Sequence, residues 1–220
     1  MMKAAIFDLD GTIIDSNPLD YEAWSRILQE NGANLSWDEY LRIVGATSAE
    51  IFKQYLQLED KEKIDDLVKR REAYFREVVT EKGLQWVPGA EDLLKTLQTI
   101  PLKLALATGA NQEKLDFIFK RVNIRSYFEG LIAADEVTNG KPDPEVFLKA
   151  AAKLGVEPGE CIVFEDAQKG VEAAKAGGMQ CIAINTNGRK DYIAAADLVI
   201  DQYAQLDVSQ WLGLAGKGKS

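Results

Sequence analysis

The sequence predicts an α/β fold in which a parallel-sheet core is interrupted, just after its first strand, by an all-helical insertion. Three observations carry this. Residues 3–7 (Lys-Ala-Ala-Ile-Phe) form a near-continuous apolar run, the pattern of a central strand buried on both faces. Residues 17–82 hold helix signals and no strand signal. From Trp86 onward, short apolar runs alternate with helical stretches, as in βαβ units around a parallel sheet.

The first strand ends at Asp8-Leu9-Asp10-Gly11-Thr12, where the Asp-Gly step breaks it. Asn17 can cap the following helix, Pro18 suits its first position, and Asp20 sits where a capping-box acid belongs. Ala23, Trp24, Ile27 and Leu28 follow at helical spacing until Asn31-Gly32. Ser36 with Glu39 repeats the capping pattern before Leu41, Ile43 and Val44, and Gly45 ends that helix. Thr47 with Glu50 repeats it again before Ile51, Phe52, Tyr55 and Leu56. A longer helix near 60–81 carries Ile64, Leu67, Val68, Tyr74, Phe75 and Val78, and Lys82-Gly83 closes it. Tyr74 and Phe75 read as core of this module rather than as a substrate box.

Past Pro88-Gly89, helices are expected at 90–99, 111–122, 144–154 and 168–177. Strands are expected at 102–107, 131–133, 161–164, 181–184 and 198–200. The Gly-Lys-Gly-Lys tail is expected to fray. An insertion at the carboxyl end of a strand lies over the crevice where open parallel sheets bind ligands, so the topology suggests a lid.

Composition narrows the chemistry. The 220 residues are 46% hydrophobic, enough for a real core. Asp plus Glu number 35 against 26 Lys plus Arg, a net charge of −9. Such a chain offers no electrostatic footprint for nucleic acid or an anionic membrane, and repels an anionic substrate unless a bound cation reverses the local field. The chain has no histidine, which excludes Ser-His-Asp and Cys-His catalysis, His-ligated zinc or iron, and a phosphohistidine intermediate. Cys161 and Cys181 each open an apolar run and read as buried, reduced thiols. The N-terminus meets Asp8 too early for a signal-peptide core, and no apolar run approaches a membrane span. The expectation is a cytoplasmic monomer.

Four segments of the core deliver chemistry to one sheet edge. Strand 3–7 brings Asp8 and Asp10, strand 102–107 brings Thr108, the loop before 144–154 carries Lys141, and strand 161–164 brings Glu165 and Asp166. Crowded carboxylates repel one another, and a hard divalent cation with oxygen ligands, Mg²⁺, is the simplest remedy. Lys141 and Thr108 then suit an anion such as phosphate. Without histidine, the nucleophile is sought among the carboxylates. Asp15 and Asp143 read as structural, Asp143 as a helix cap before Pro144.

Phe7-Asp8-Leu9-Asp10-Gly11-Thr12-Ile13-Ile14-Asp15-Ser16 resembles the first motif of the haloacid dehalogenase superfamily, in its phosphatase branch. Ala107-Thr108-Gly109 resembles the second motif, and Gly140-Lys141-Pro142-Asp143-Pro144 the third. Phe164-Glu165-Asp166-Ala167, with Gly170 and Ala173 to Met179, resembles the fourth. The likeness spans essentially the whole chain and is nearest to the β-phosphoglucomutase-like subgroup. It implies a Rossmann-like α/β core formed by 1–15 and 83–220, with residues 16–82 as a helical cap.

It also implies roles. Asp8 would attack phosphorus and become an aspartyl-phosphate; Asp10 would protonate the leaving oxygen and then activate water. Mg²⁺ would bind Asp8, the Asp10 backbone carbonyl and Asp166, with Glu165 as an outer or occasional ligand. Thr108, the Gly109 N–H and Lys141 would hold the phosphate oxygens. Lys69, Arg70 and Arg71 are the cap cations expected to face substrate, Arg71 being the one taken as a substrate ligand.

The expected activity is hydrolysis of small phosphomonoesters, sugar phosphates or related metabolites. A sugar-phosphate mutase is the alternative, and a non-catalytic phospho-ligand sensor a more distant one. An acid at Asp10 argues against dehalogenation, which has no leaving oxygen to protonate. The mutase subgroup carries a histidine early in its cap, where this chain has Asp20, and a basic pair near the glycine of its second cap helix. Here Ile43-Val44-Gly45-Ala46-Thr47-Ser48 has no basic residue.

Overall fold

The computed structural model describes residues 2–211, so the expected fraying of the tail lies outside the described residues. Strands β1 (Ala4–Phe7), β2 (Lys103–Ala107), β3 (Gly130–Ile132), β4 (Cys161–Glu165), β5 (Gln180–Ile184) and β6 (Leu198–Ile200) form one sheet in the order β3-β2-β1-β4-β5-β6, with every pair parallel. All six expected strands are present within a residue or two of their expected limits. Alternate residues of β1 feed opposite faces. Ala5 and Phe7 join the apolar cluster built with Leu94 and Leu115, and Ala4 and Ile6 join the one built with Phe147 and Val171. Phe7 stacks on Phe164 of β4 with ring centroids 4.3 Å apart. Each such buried ring contributes roughly 1.5–3 kcal/mol through area removed from water.

Four helices, α1 (Asn17–Glu30), α2 (Trp37–Ile43), α3 (Ser48–Leu56) and α4 (Lys61–Lys82), fill the insertion and enclose a separate cluster around Trp24, Ile27, Leu28, Tyr40 and Phe52. The capping boxes read at Ser36–Glu39 and Thr47–Glu50 are both formed. Phe75 is buried among Ala23 and Val79, as expected of core. Helices α5 (Ala90–Leu97) and α6 (Gln112–Phe119) cover one face of the sheet, and α7 (Glu145–Leu154) and α8 (Gln168–Ala176) the other. Asp143 accepts the Glu145 N–H at 2.9 Å, the structural role expected of it. Both cysteines are buried and unpaired with each other. Among the described residues no helix is long and apolar enough to cross a membrane.

The reading of Asn17 as a helix cap is corrected. Ser16 holds the cap position without a side-chain capping hydrogen bond, and the Asn17 amide donates to Asp166 Oδ2 at 2.8 Å. A buried carboxylate binds an amide donor more strongly than the amide oxygen binds a helix N–H, because the acceptor is charged. Asp20 is likewise no capping-box acid; it pairs with Arg71 of α4.

The two chain crossings between core and insertion run side by side. Asp15 N–H donates to Gln85 C=O at 2.9 Å, and Val87 N–H to Ile13 C=O at 2.8 Å. The strand order reverses between β1 and β4. Ligands of open α/β sheets sit at such a switch point, outside the carboxyl ends of the strands.

Candidate active site

In-register pairing of Phe7 with Leu106 and with Phe164 brings the residues that follow β1, β2 and β4 to one edge. There a cavity of about 370 Å³ opens between sheet and insertion, and all eight expected site residues line it: Asp8, Asp10, Arg71, Thr108, Gly109, Lys141, Glu165 and Asp166.

Its floor is a cluster of buried acids. Asp8, Glu165 and Asp166 each present a carboxylate oxygen within 4.8 Å of the others. Lys141 Nζ donates to Asp8 Oδ1 at 2.6 Å and to Glu165 Oε1 at 2.5 Å. Glu165 Oε2 accepts the N–H groups of Asp166 and Ala167, each at 2.8 Å. Asp166 accepts from Thr12 at 3.1 Å, and from Asn17 and Asn187 at 2.8 Å each. Burial pushes the Asp8 carboxyl up to about 7 against the pull of Lys141. Burial, with Glu165 and Asp8 adding to it, raises Asp166 as well. Burial favours neutral Lys141, but its two carboxylate partners outweigh that and hold it above the usual lysine range.

When all three carboxylates are ionised, the single ammonium leaves two negative charges uncompensated, the charge of one divalent cation, and burial together with that imbalance raises the Asp8 and Asp166 carboxyls. The oxygen-only donor set is that of a hard ion, so the residues fit Mg²⁺.

Two glycines make room for this arrangement. A Cβ on Gly170 would lie 1.8 Å from Glu165 Oε1. A Cβ on Gly11 would lie 2.1 Å from Asp166 Oδ2, and its φ of +75° suits glycine in any case. Gly170→Ala is therefore expected to displace Glu165 and lower turnover by about 10-fold or more while the fold persists. Steady-state rates beside a thermal melt check this; unchanged turnover would show that Glu165 tolerates the shift.

Asp10 stands above the floor. Ser16 Oγ donates to its Oδ1 at 2.5 Å, and Lys114 Nζ donates to both oxygens at 3.0 Å. Burial works to raise Asp10, yet Lys114 and Ser16 outweigh it and hold the carboxyl below its usual range. Asp10 is thus a carboxylate here, the form that takes a proton from water. Thr108 is buried, and its Oγ1 accepts the Ala110 N–H at 3.0 Å, which leaves the hydroxyl proton free to be donated.

The cap cations part company. Only Arg71 lines the cavity; Lys69 is exposed, and Arg70 is exposed and turned to Glu30 at 2.9 Å. Of the three candidates one helix face turns only Arg71 inward, because successive helix positions point about 100° apart. Burial pushes Arg71 down to about 10.

Lys114 was not singled out in the sequence, although a signal exists. It lies in the first turn of α6, just past the strand end Thr108 and capped by Asn111, where the helix dipole favours acids over bases. A cation placed there against the dipole needs a nearby anion.

Comparison with known proteins follows the same line. Residues 5–184 match a family model described as haloacid dehalogenase-like hydrolase. A "phosphorylated carbohydrates phosphatase" of Thermotoga maritima is 36% identical over 182 residues, covering 82% of this chain and 84% of that one. A "validoxylamine A 7'-phosphate phosphatase" of Streptomyces hygroscopicus subsp. limoneus is 32% identical over 207 residues, covering 94% and 96%. The crystal structure of a β-phosphoglucomutase from Clostridium difficile superposes with a TM-score of 0.86 at 26% identity, covering 97% of this chain and 96% of that one.

Proposed function

The chain belongs to the haloacid dehalogenase-like hydrolases, and we propose that it is a Mg²⁺-dependent phosphatase that hydrolyses small phosphomonoesters, sugar phosphates or related metabolites, through an aspartyl-phosphate on Asp8. The observation that carries this reading is the buried Asp8 carboxylate, held by Lys141 within a cluster two charges short of neutrality.

In this reading a phosphomonoester enters with its phosphate between Asp8 and the Thr108–Gly109 turn. The Thr108 hydroxyl, the Gly109 N–H and Lys141 hold the non-bridging oxygens. Asp10, a carboxylate in the free site, binds a proton from solvent as the anionic ester enters beside it. Asp8 attacks phosphorus, the ester bond breaks, and the leaving oxygen takes that proton from Asp10. Asp10, now a carboxylate, draws a proton from water, which attacks the aspartyl-phosphate, frees phosphate and restores Asp8. Mg²⁺ would be held by Asp8, Asp166 and the Asp10 carbonyl beside Glu165, and when bound it supplies positive charge to the phosphate oxygens.

Residues 16–82 serve as a cap over a core of 1–15 and 83–220, hinged near 15–17 and 82–87. The separate apolar cluster of the four helices and the paired crossings at Asp15–Gln85 and Ile13–Val87 support this division.

If Asp10 protonates the leaving oxygen, Asp10→Ala should lose about 10²–10⁴-fold with an alkyl phosphate and clearly less with p-nitrophenyl phosphate, whose leaving group needs little help. Parallel steady-state rates on the two substrates check this, and equal losses would remove Asp10 from the acid role.

A mutase reading rests on the likeness to the β-phosphoglucomutase structure. Against it, the segment Val44–Ser48 lines the cavity without a basic residue. β-Glucose 1-phosphate with a trace of the 1,6-bisphosphate should yield inorganic phosphate or nothing. Glucose 6-phosphate accumulating faster than phosphate would establish the mutase.

A further inference from the structure

We infer that Asp20 is a specificity-determining residue: it neutralises the buried Arg71 and, together with Asp10, the partly buried Lys114 on the leaving-group side of the cavity, and so restricts the enzyme to phosphomonoesters whose leaving group carries no second negative charge. The inference rests on the phosphatase reading above and goes beyond it in naming which residue selects the substrate.

Away from the Asp8 floor, the charged residues lining the cavity are Asp10, Asp20, Arg71, Glu72 and Lys114. Lys114 comes from the sheet side and Arg71 from α4 of the insertion. Asp20, on α1, reaches both: it pairs with Arg71, and its Oδ1 lies 3.9 Å from Lys114 Nζ. Lys114 is further committed to Asp10 at 3.0 Å. The Tyr40 hydroxyl donates to Asp20 Oδ2 at 3.1 Å and fixes the carboxylate between its partners.

The cations are enclosed by aromatic rings. The Arg71 guanidinium lies 4.9 Å from the Trp24 ring centroid, and Lys114 Nζ lies 4.5 Å from that of Phe75. Water cannot screen them well there, so their charge state decides what enters. Two cations stand against three carboxylates, and a second phosphate or a carboxylate on the substrate would find no free positive partner. Arg71 Nε is buried without a hydrogen-bond partner, so the guanidinium keeps a donor beyond its Asp20 pair. A hydroxyl-bearing, uncharged leaving group can use such a donor; an anion needs the charge as well.

The test measures the ratio of kcat/KM for sorbitol 6-phosphate to that for fructose 1,6-bisphosphate in wild type, Asp20→Asn and Arg71→Gln. Wild type should favour the monophosphate. Asp20→Asn frees Arg71, while Lys114 keeps Asp10 as its partner, and should shift the ratio toward the bisphosphate on the order of tenfold, chiefly through KM. Arg71→Gln leaves Asp20 facing Lys114 alone and should shift it the opposite way, so the two variants test the inference separately should one fail to fold. A ratio unmoved in Asp20→Asn, or moved the same way in both variants, overturns the assignment. Calorimetric titration of the same two compounds reads the ratio as Kd values without turnover. An enzyme inactive on every phosphomonoester would therefore count against the phosphatase reading, while the Kd ratio still decides the role of Asp20.

Discussion

Asp8→Asn should lower phosphomonoester turnover by at least on the order of 10⁴-fold, the scale on which removal of a covalent nucleophile is felt. The amide keeps the shape of the carboxylate but cannot form an acyl phosphate. The fold should not suffer. In the native chain burial and the neighbouring Glu165 both oppose an ionised Asp8, which is why its carboxyl is pushed up to about 7. Replacing it by a neutral group removes one of three crowded charges, and Lys141 retains Glu165 as a partner at 2.5 Å. The expected pattern is therefore lost activity with a metal-free melting temperature equal to or above wild type. Hydrolysis of p-nitrophenyl phosphate beside a thermal melt reads both. Activity within tenfold of wild type would exclude Asp8 as nucleophile, and a collapsed melt would show that the loss was structural.

Removal of the metal should cost about 10³-fold, a value that corresponds to several kcal/mol of charge stabilisation in the transition state. Excess EDTA should abolish nearly all turnover and Mg²⁺ should restore it. The same ion should raise the melting temperature, because it binds the folded cluster and not the unfolded chain. Asp166→Ala should lose both responses together. Its structural cost is bounded: Thr12, Asn17 and Asn187 lose their acceptor, at about 1–3 kcal/mol for buried donors left unpaired. Relief of repulsion with Asp8 and Glu165 offsets part of this. Full activity in EDTA, or a Mg²⁺-dependent melt preserved in Asp166→Ala, would contradict the metal assignment.

What the sequence made legible is local. Strand β1 is apolar on both faces and stops abruptly at Asp8, so both the element and the residue it presents are readable from a few positions. The capping boxes at Ser36 and Thr47 are written within four residues each. The strand ends that carry Thr108, Glu165 and Asp166 share one sheet edge because parallel strands must, and the loop to α7 brings Lys141 there. What escaped depends on contacts between distant segments. Asn17 has the form of a helix cap, and only the approach of Asp166 draws it away. Asp20 reads as a first-turn acid until α4 brings Arg71 against it. Lys114 is an ordinary helix residue until the sheet sets Asp10 beside it.

The central claim is a covalent phosphoryl group on Asp8. The most direct measurement uses Asp10→Asn, which should slow attack by water, with p-nitrophenyl phosphate as a substrate that needs no acid to leave. Acid quenching, borohydride reduction and peptide mass spectrometry should then find homoserine at position 8, the reduction product of an aspartyl-phosphate. Homoserine at another position, or none at any carboxylate while p-nitrophenolate is being released, would contradict it.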